Sequence, residues 1–192
     1  MIMDYEKDVK MLGGVFEAMI HNHQTMGMDF KNIYLARVAV EILMHHLPDS
    51  VPGEFDSVAG KARLLEQMLE YCTETDMPRF CITLRETIDR HAPSEDNTRT
   101  LEMLRDYVSP KFTMDEWIKK WNRHLRFDPI ERSEMWEEII YDVEREVSHR
   151  LDFDKWCMGF CFEYWSVKRD VLHEQGVRWR TPTEMNPGVM FD

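Results

Sequence analysis

Glu146 and His149 stand three residues apart in a stretch with helical periodicity. Di-iron bundles use that spacing to bring a carboxylate and an imidazole to one metal. Glu138 and Asp142 fall on the same face, so four potential ligands line one side of the segment. A dinuclear site needs a second Glu-x-x-His and two further glutamates on other helices. The chain has no second Glu-x-x-His, and Arg145 and Arg150 are spaced to pair with these acids. The expectation is a solvated acidic face.

A magnesium site of the kind all-α nucleotide pyrophosphohydrolases use takes Glu-x-x-Glu from one helix and Glu-x-x-Asp from the next, four acids that hold substrate phosphates through the metal. Glu86 and Asp89 fit the second pair, but Glu66 and Glu70 are four apart, not three. One extra residue swings an acid by about 100° around the helix axis. The alternative kept open is therefore a small hydrolase using Mg²⁺ or another divalent metal; the leading expectation is no catalytic residue and no cofactor.

Eight histidines raise the question of zinc. His21 and His23 point to different sides of a helix, and the adjacent His45 and His46 do not easily share one ion. Glu17–His21 and Glu41–His45 could each give two ligands from one face, yet H-E-x-x-H is absent and no cluster of Cys with His at short spacings appears. Nucleophile elbows and phosphate loops are absent as well. Cys72, Cys81, Cys157 and Cys161 form no C-x-x-C pair and sit in apolar patterns, as expected of buried thiols kept reduced in a cytoplasmic protein.

Lys119, Lys120, Arg123, His124 and Arg126 form the one basic cluster. Trp117, Trp121 and Leu125 run through it at steps of four, so the cations are expected on the wet side of a core stripe. Across 192 residues, 24 Lys and Arg face 36 Asp and Glu, a formal net charge of −12. Phosphate neutralisation needs clustered cations, so duplex nucleic acid is not expected as a partner. There is no apolar run of about 18 residues and no signal-peptide pattern, which argues against a membrane partner.

The elements that must position these residues are helical almost throughout, because apolar residues recur at steps of three and four. The expected fold is all-α, with about eight helices in one bundle or two packed sub-bundles and an extended C-terminal tail. Helices are expected over 4–26 (stopped by Gly27), 30–47 (capped by Asp29), 57–73, 78–92, 95–109, 113–126, 133–151 and 152–175. Residues 48–56 read as a loop. Gly13 and Gly14 inside the first helix suggest a close crossing or a kink. Thr113 with Glu116 makes a capping box, Asp128-Pro129 starts a turn, and Gly176 stops the last long helix. The parts read as an N-terminal subdomain over 1–108, a Trp-rich subdomain over 113–176 and a tail over 177–192. All six Trp follow Phe112.

The tail carries Trp179, Met185, Val189, Met190 and Phe191, whereas a frayed terminus is usually small and polar. It should dock on its own bundle or on a partner, which makes Trp179, Met185, Val189 and Phe191 the candidate interaction residues.

Leu65, Leu69, Tyr71, Phe80, Leu84, Ile88 and Pro93 lie in a pattern of two apolar helices joined by a short polar turn. Residues 61–93 in this respect resemble the closing helices of bacterial effector-associated, death-like adaptor domains. Thr75-Asp76 replaces the small residue usual in that turn, and the Trp-rich second half has no counterpart. The resemblance implies partner recruitment without catalysis. The functional expectation is a cytoplasmic protein–protein interaction or adaptor protein with a protein partner, in which homo-oligomers remain possible.

Overall fold

Side-chain caps set the start of several helices in the computed structural model, which describes residues 3–25, 28–47, 58–72, 77–153 and 157–191. Among them the helices are α1 (Met3–Gln24), α2 (Asn32–Glu41), α3 (Val58–Glu70), α4 (Pro78–His91), α5 (Glu95–Val108), α6 (Met114–Trp121), α7 (Glu134–Arg150), α8 (Phe160–Glu174) and α9 (Pro182–Met185). No strand occurs among the described residues, and the class is all-α. At α6 the Thr113 hydroxyl accepts the Glu116 N–H at 3.2 Å, and Glu116 Oε2 accepts the Thr113 N–H at 2.8 Å. Ser133 caps α7 in the same sense, accepting the Trp136 N–H at 3.1 Å.

The chain divides into two compact units, Met1–Glu102 and Met103–Asp192, so the division falls inside α5. In the first unit α1 packs on α2 and α3 on α4. Leu12, Met19, Ala36, Leu43, Leu65, Met68, Leu84 and Ile88 are among its buried side chains. Asn32 is buried with its amide satisfied: Nδ2 donates to the carbonyls of Met19 (3.0 Å) and Tyr71 (2.9 Å), while Oδ1 accepts from Asn22 (3.0 Å). A buried amide left unpaired would cost about 1–3 kcal/mol.

In the second unit α7 packs on α8. Trp136, Ile140, Val143 and Val147 are buried, and these are the residues that the period of α7 assigns to its inner face. Tyr107, Met114 and Trp117 form a further cluster flanked by Phe112, Trp121 and Phe127. Arg132 closes the end of α5, donating to the carbonyls of Tyr107, Ser109 (2.8 Å) and Phe112 (3.0 Å). Burial holds its guanidinium below the usual range.

Several local expectations are corrected. The 30–47 segment is not one α-helix: a 3₁₀ turn over Asp29–Lys31 leads into α2, which ends in a π turn over Ile42–His46. The sixth helix stops at Trp121 rather than Arg126, because Asn122 takes a left-handed conformation (φ 50°) and bonds back to the Ile118 carbonyl. The last long helix does not begin at 152 but at Phe160, after Gly159 at φ 85°. Gly13 and Gly14 mark no close crossing, since a Cβ at either would meet nothing within 4 Å. Cys72 and Cys81 are buried, but Cys157 is exposed and Cys161 half-buried. Gly27, the 48–56 loop and the Thr75-Asp76 turn lie outside the described residues.

Candidate functional site

The C-terminal segment is fastened to the second unit residue by residue. Gly176 (φ 79°) ends α8 with both bonds of a Schellman turn: its N–H reaches the His173 carbonyl at 2.9 Å, and the Val177 N–H reaches that of Leu172 at 2.9 Å. Three residues on, Trp179 is 7% exposed and its indole N–H donates to Glu131 Oε1 at 2.7 Å. Glu131 belongs to the 3₁₀ turn Pro129–Arg132, where its carboxylate also accepts the Asp128 N–H at 3.2 Å. Asp128 in turn takes Arg180 with one oxygen, the backbone N–H at 3.0 Å and Nε at 2.9 Å.

Thr181 and Glu184 then form a capping box for α9. The Thr181 N–H bond, helped by the Thr181 hydroxyl and the nearby Arg169 and Arg180, holds the Glu184 carboxyl below its ordinary range. Asn186 completes the clasp. Its Oδ1 accepts the Arg126 N–H at 2.8 Å, and its Nδ2 donates to the carbonyls of Arg126 (2.9 Å) and Pro182 (2.8 Å). The side chain thus pairs with Arg126 as a neighbouring strand would. Each such bond contributes about 0.5–1.5 kcal/mol net, and more where a charge takes part.

Beneath the tail sits a caged lysine. Lys168 of α8 is 6% exposed and pairs at 2.5 Å with Glu144 of α7, itself 8% exposed. The Tyr164 hydroxyl donates to the same carboxylate at 2.7–2.8 Å. The ammonium lies 5.2 Å from the Trp136 ring centre, 5.6 Å from Tyr164 and 5.6 Å from Trp179. Trp179 therefore closes a box of three aromatic faces around one cation, which ties the tail to the unit's only buried lysine among the described residues.

Beyond Asn186 the character changes. Met190 is 93% exposed, Val189 is exposed, and Phe191 packs edge-on against Trp165 at 5.1 Å. Trp165 meets Phe162 edge-on at 5.5 Å; Phe162 is exposed, and Met158, just before α8, is 89% exposed. Large apolar side chains thus lie at the surface on both the tail tip and the start of α8. Beside the tail, an open groove of about 580 Å³ is lined by Ile118, Met185, Pro187 and Val189 together with Asp115, Lys119, His124, Arg126 and Asn186.

Of the four interaction candidates, Trp179 is buried and acts as the root, Met185 is half-buried, Val189 lines the groove, and Phe191 is half-buried against Trp165. The acidic face of α7 is taken up by arginines: Asp142 pairs with Arg145 at 2.8 Å and Glu146 with Arg150 at 2.9 Å. Arg150 also binds Glu174 of α8, which lowers the Glu174 carboxyl. Glu138 and His149 are exposed. Asp89 accepts the Thr98 hydroxyl at 3.1 Å, and neighbouring Glu86 is half-buried. His45 and His46 both approach Glu41, at 3.8 and 4.0 Å, because the π turn widens the helix there. Among the described residues, no group of three or more His, Cys, Asp or Glu comes together to hold a metal ion.

Sequence reasoning missed Glu144, Lys168, Glu131 and Asn186. Two had a signal. Glu144 is four after Ile140 and three before Val147, and Lys168 is four before Leu172, so each charge sits on an apolar stripe. Comparison with known protein families, curated proteins and solved structures finds no match to the chain.

Proposed function

We propose that the protein is a non-catalytic, cytoplasmic interaction or adaptor protein whose second unit binds a protein partner. One observation carries this reading: a rigidly anchored tail ends in apolar side chains that the unit does not bury. Trp179, Arg180 and Asn186 hold the root, and Met190, Val189, Phe162 and Met158 stay outside. Ordering a terminal segment costs about 1–2 kcal/mol per residue, so a clasp that fixes the tail yet leaves Val189 and Met190 in water suggests a contact still to be made. The exposed set mixes Met with aromatics, types that suit adaptable interfaces. The resemblance of residues 61–93 to death-like adaptor domains points the same way, with Leu65, Leu69, Leu84 and Ile88 buried. No helix among the described residues is long and apolar enough to cross a membrane.

The test is reconstitution. Proteins captured with the full chain are identified by mass spectrometry and purified, and binding is measured with the purified pair. A stoichiometric complex should form and should be lost in Met190→Asp with Phe162→Asp, at unchanged melting temperature. Glu138→Gln with Asp142→Asn should bind normally. The reading fails if no purified partner binds, or if the doubly charged variant binds as wild type does.

A further inference from the structure

We propose that the groove between α6 and the tail takes a peptide segment of the partner that carries acidic and apolar side chains together. The proposal rests on the adaptor reading and names the partner chemistry. Ile118, Met185 and Val189 give the groove its apolar lining, and Lys119 and Arg126 give it cations. Asp115 holds Arg126 at 3.0 Å, whereas Lys119 has no ion-pair partner among the described residues. The protein as a whole carries −12. An acidic segment is repelled by most of this body and drawn to its basic-lined groove, which selects both the partner and its register. Val189 and Met185 then provide the apolar burial that charge alone does not, and Asn186 keeps the two walls at fixed distance by pairing with Arg126 on both backbone groups.

Single-stranded nucleic acid fits the same cations less well. Such binding needs aromatic faces open for base stacking. Trp117 is buried, and the Trp121 ring has Lys120 over it at 5.2 Å and its N–H on Asp106 at 2.9 Å. Trp121 is half-buried, so the basic residues of α6 are accompanied by no fully exposed indole.

The test is fluorescence anisotropy on the full chain with three labelled probes: a short peptide of Glu, Asp, Leu and Phe, its counterpart with Lys and Arg replacing the acids, and an oligothymidylate. The acidic peptide should bind saturably and weaken several-fold as salt rises from about 50 to about 300 mM, as screening requires. Lys119→Glu and Val189→Asp should each weaken it about tenfold or more. Both side chains are exposed, so the melting temperature of each variant should stay at the wild-type value. The proposal is overturned by an acidic peptide that does not bind, by equal binding of the basic peptide, by unchanged affinity in Lys119→Glu, or by tighter binding of the oligothymidylate. Self-association abolished by Lys119→Glu in sedimentation would assign the groove to a second copy and overturn it too. If the peptide fails while a reconstituted complex sensitive to Met190→Asp persists, the partner chemistry is wrong and the adaptor reading stands. If both fail, the adaptor reading falls as well.

Discussion

Replacing Lys168 by Met isolates the energetics of the caged ion pair. The ammonium touches Glu144 at 2.5 Å, and both groups are more than nine-tenths buried. After Lys168→Met the carboxylate keeps only the Tyr164 hydroxyl from this constellation, and an uncompensated buried charge costs about 3–5 kcal/mol. Loss of the cation from three aromatic faces adds to this, but the Met thioether recovers about 0.3–1.5 kcal/mol in sulfur–ring contacts. With a urea slope of about 2 kcal/mol/M, the midpoint should fall by about 1.5–2.5 M. The assay is urea unfolding followed by Trp fluorescence, since Trp136 and Trp179 line the cage. Glu144→Leu in the Lys168→Met background should recover most of the loss, because an apolar pair of similar volume replaces a buried ion pair at little cost. A loss below about 1 kcal/mol in the single variant, or a double variant no more stable than the single one, would refute the reasoning.

Three further outcomes are expected. Gly13→Ala and Gly14→Ala should each stabilise the protein by about 0.5–1 kcal/mol, because both sit in α1 facing open space; thermal unfolding checks this, and destabilisation would mean an unseen close approach. Asn186→Ala should cost about 1–3 kcal/mol by thermal unfolding, since the Arg126 N–H and carbonyl both lose their partner. Glu116, Glu174 and Glu184 all have carboxyl groups lowered in the folded state from an ordinary value of 4.5, the first and last by their caps and the second by Arg150. Their stabilisation is full above that value and is lost as pH falls through the lowered ones, so the melting temperature should hold from about pH 7 to 5 and drop below. A melting temperature that rises on acidification would contradict this assignment.

Much of the helical frame was legible in the sequence because caps are local chemistry. Thr113 with Glu116, Pro78 and Gly176 each act within one turn of their own position, and the structure uses all three where the pattern puts them. Boundaries set by unusual backbone were not legible. Asn122 and Gly159 take left-handed conformations that their residue types permit but do not require, and the π turn at Ile42–His46 has no signature in the apolar pattern. The candidate site was half legible. Five large apolar residues flagged the tail, but not which of them would be root and which tip. That split depends on Glu131, Asp128 and Arg126, 48 to 60 residues earlier in the chain. Glu144 and Lys168 show the same limit: each interrupts an apolar stripe, and only the pairing of α7 with α8 shows that they answer one another.

The central claim is that the tail has a fixed root and an open tip. Amide hydrogen exchange, read residue by residue in the free protein and in a reconstituted complex, tests it most directly. In the free protein the Arg126, Arg180 and Thr181 amides should be protected, because Asn186, Asp128 and Glu184 accept them, while those of Met190 and Phe191 should exchange rapidly. On complex formation protection should appear at residues 190 and 191 and change little at 126, 180 and 181. Rapid exchange at Arg126 and Arg180 in the free protein, or unchanged exchange at 190 and 191 in the complex, would contradict the account.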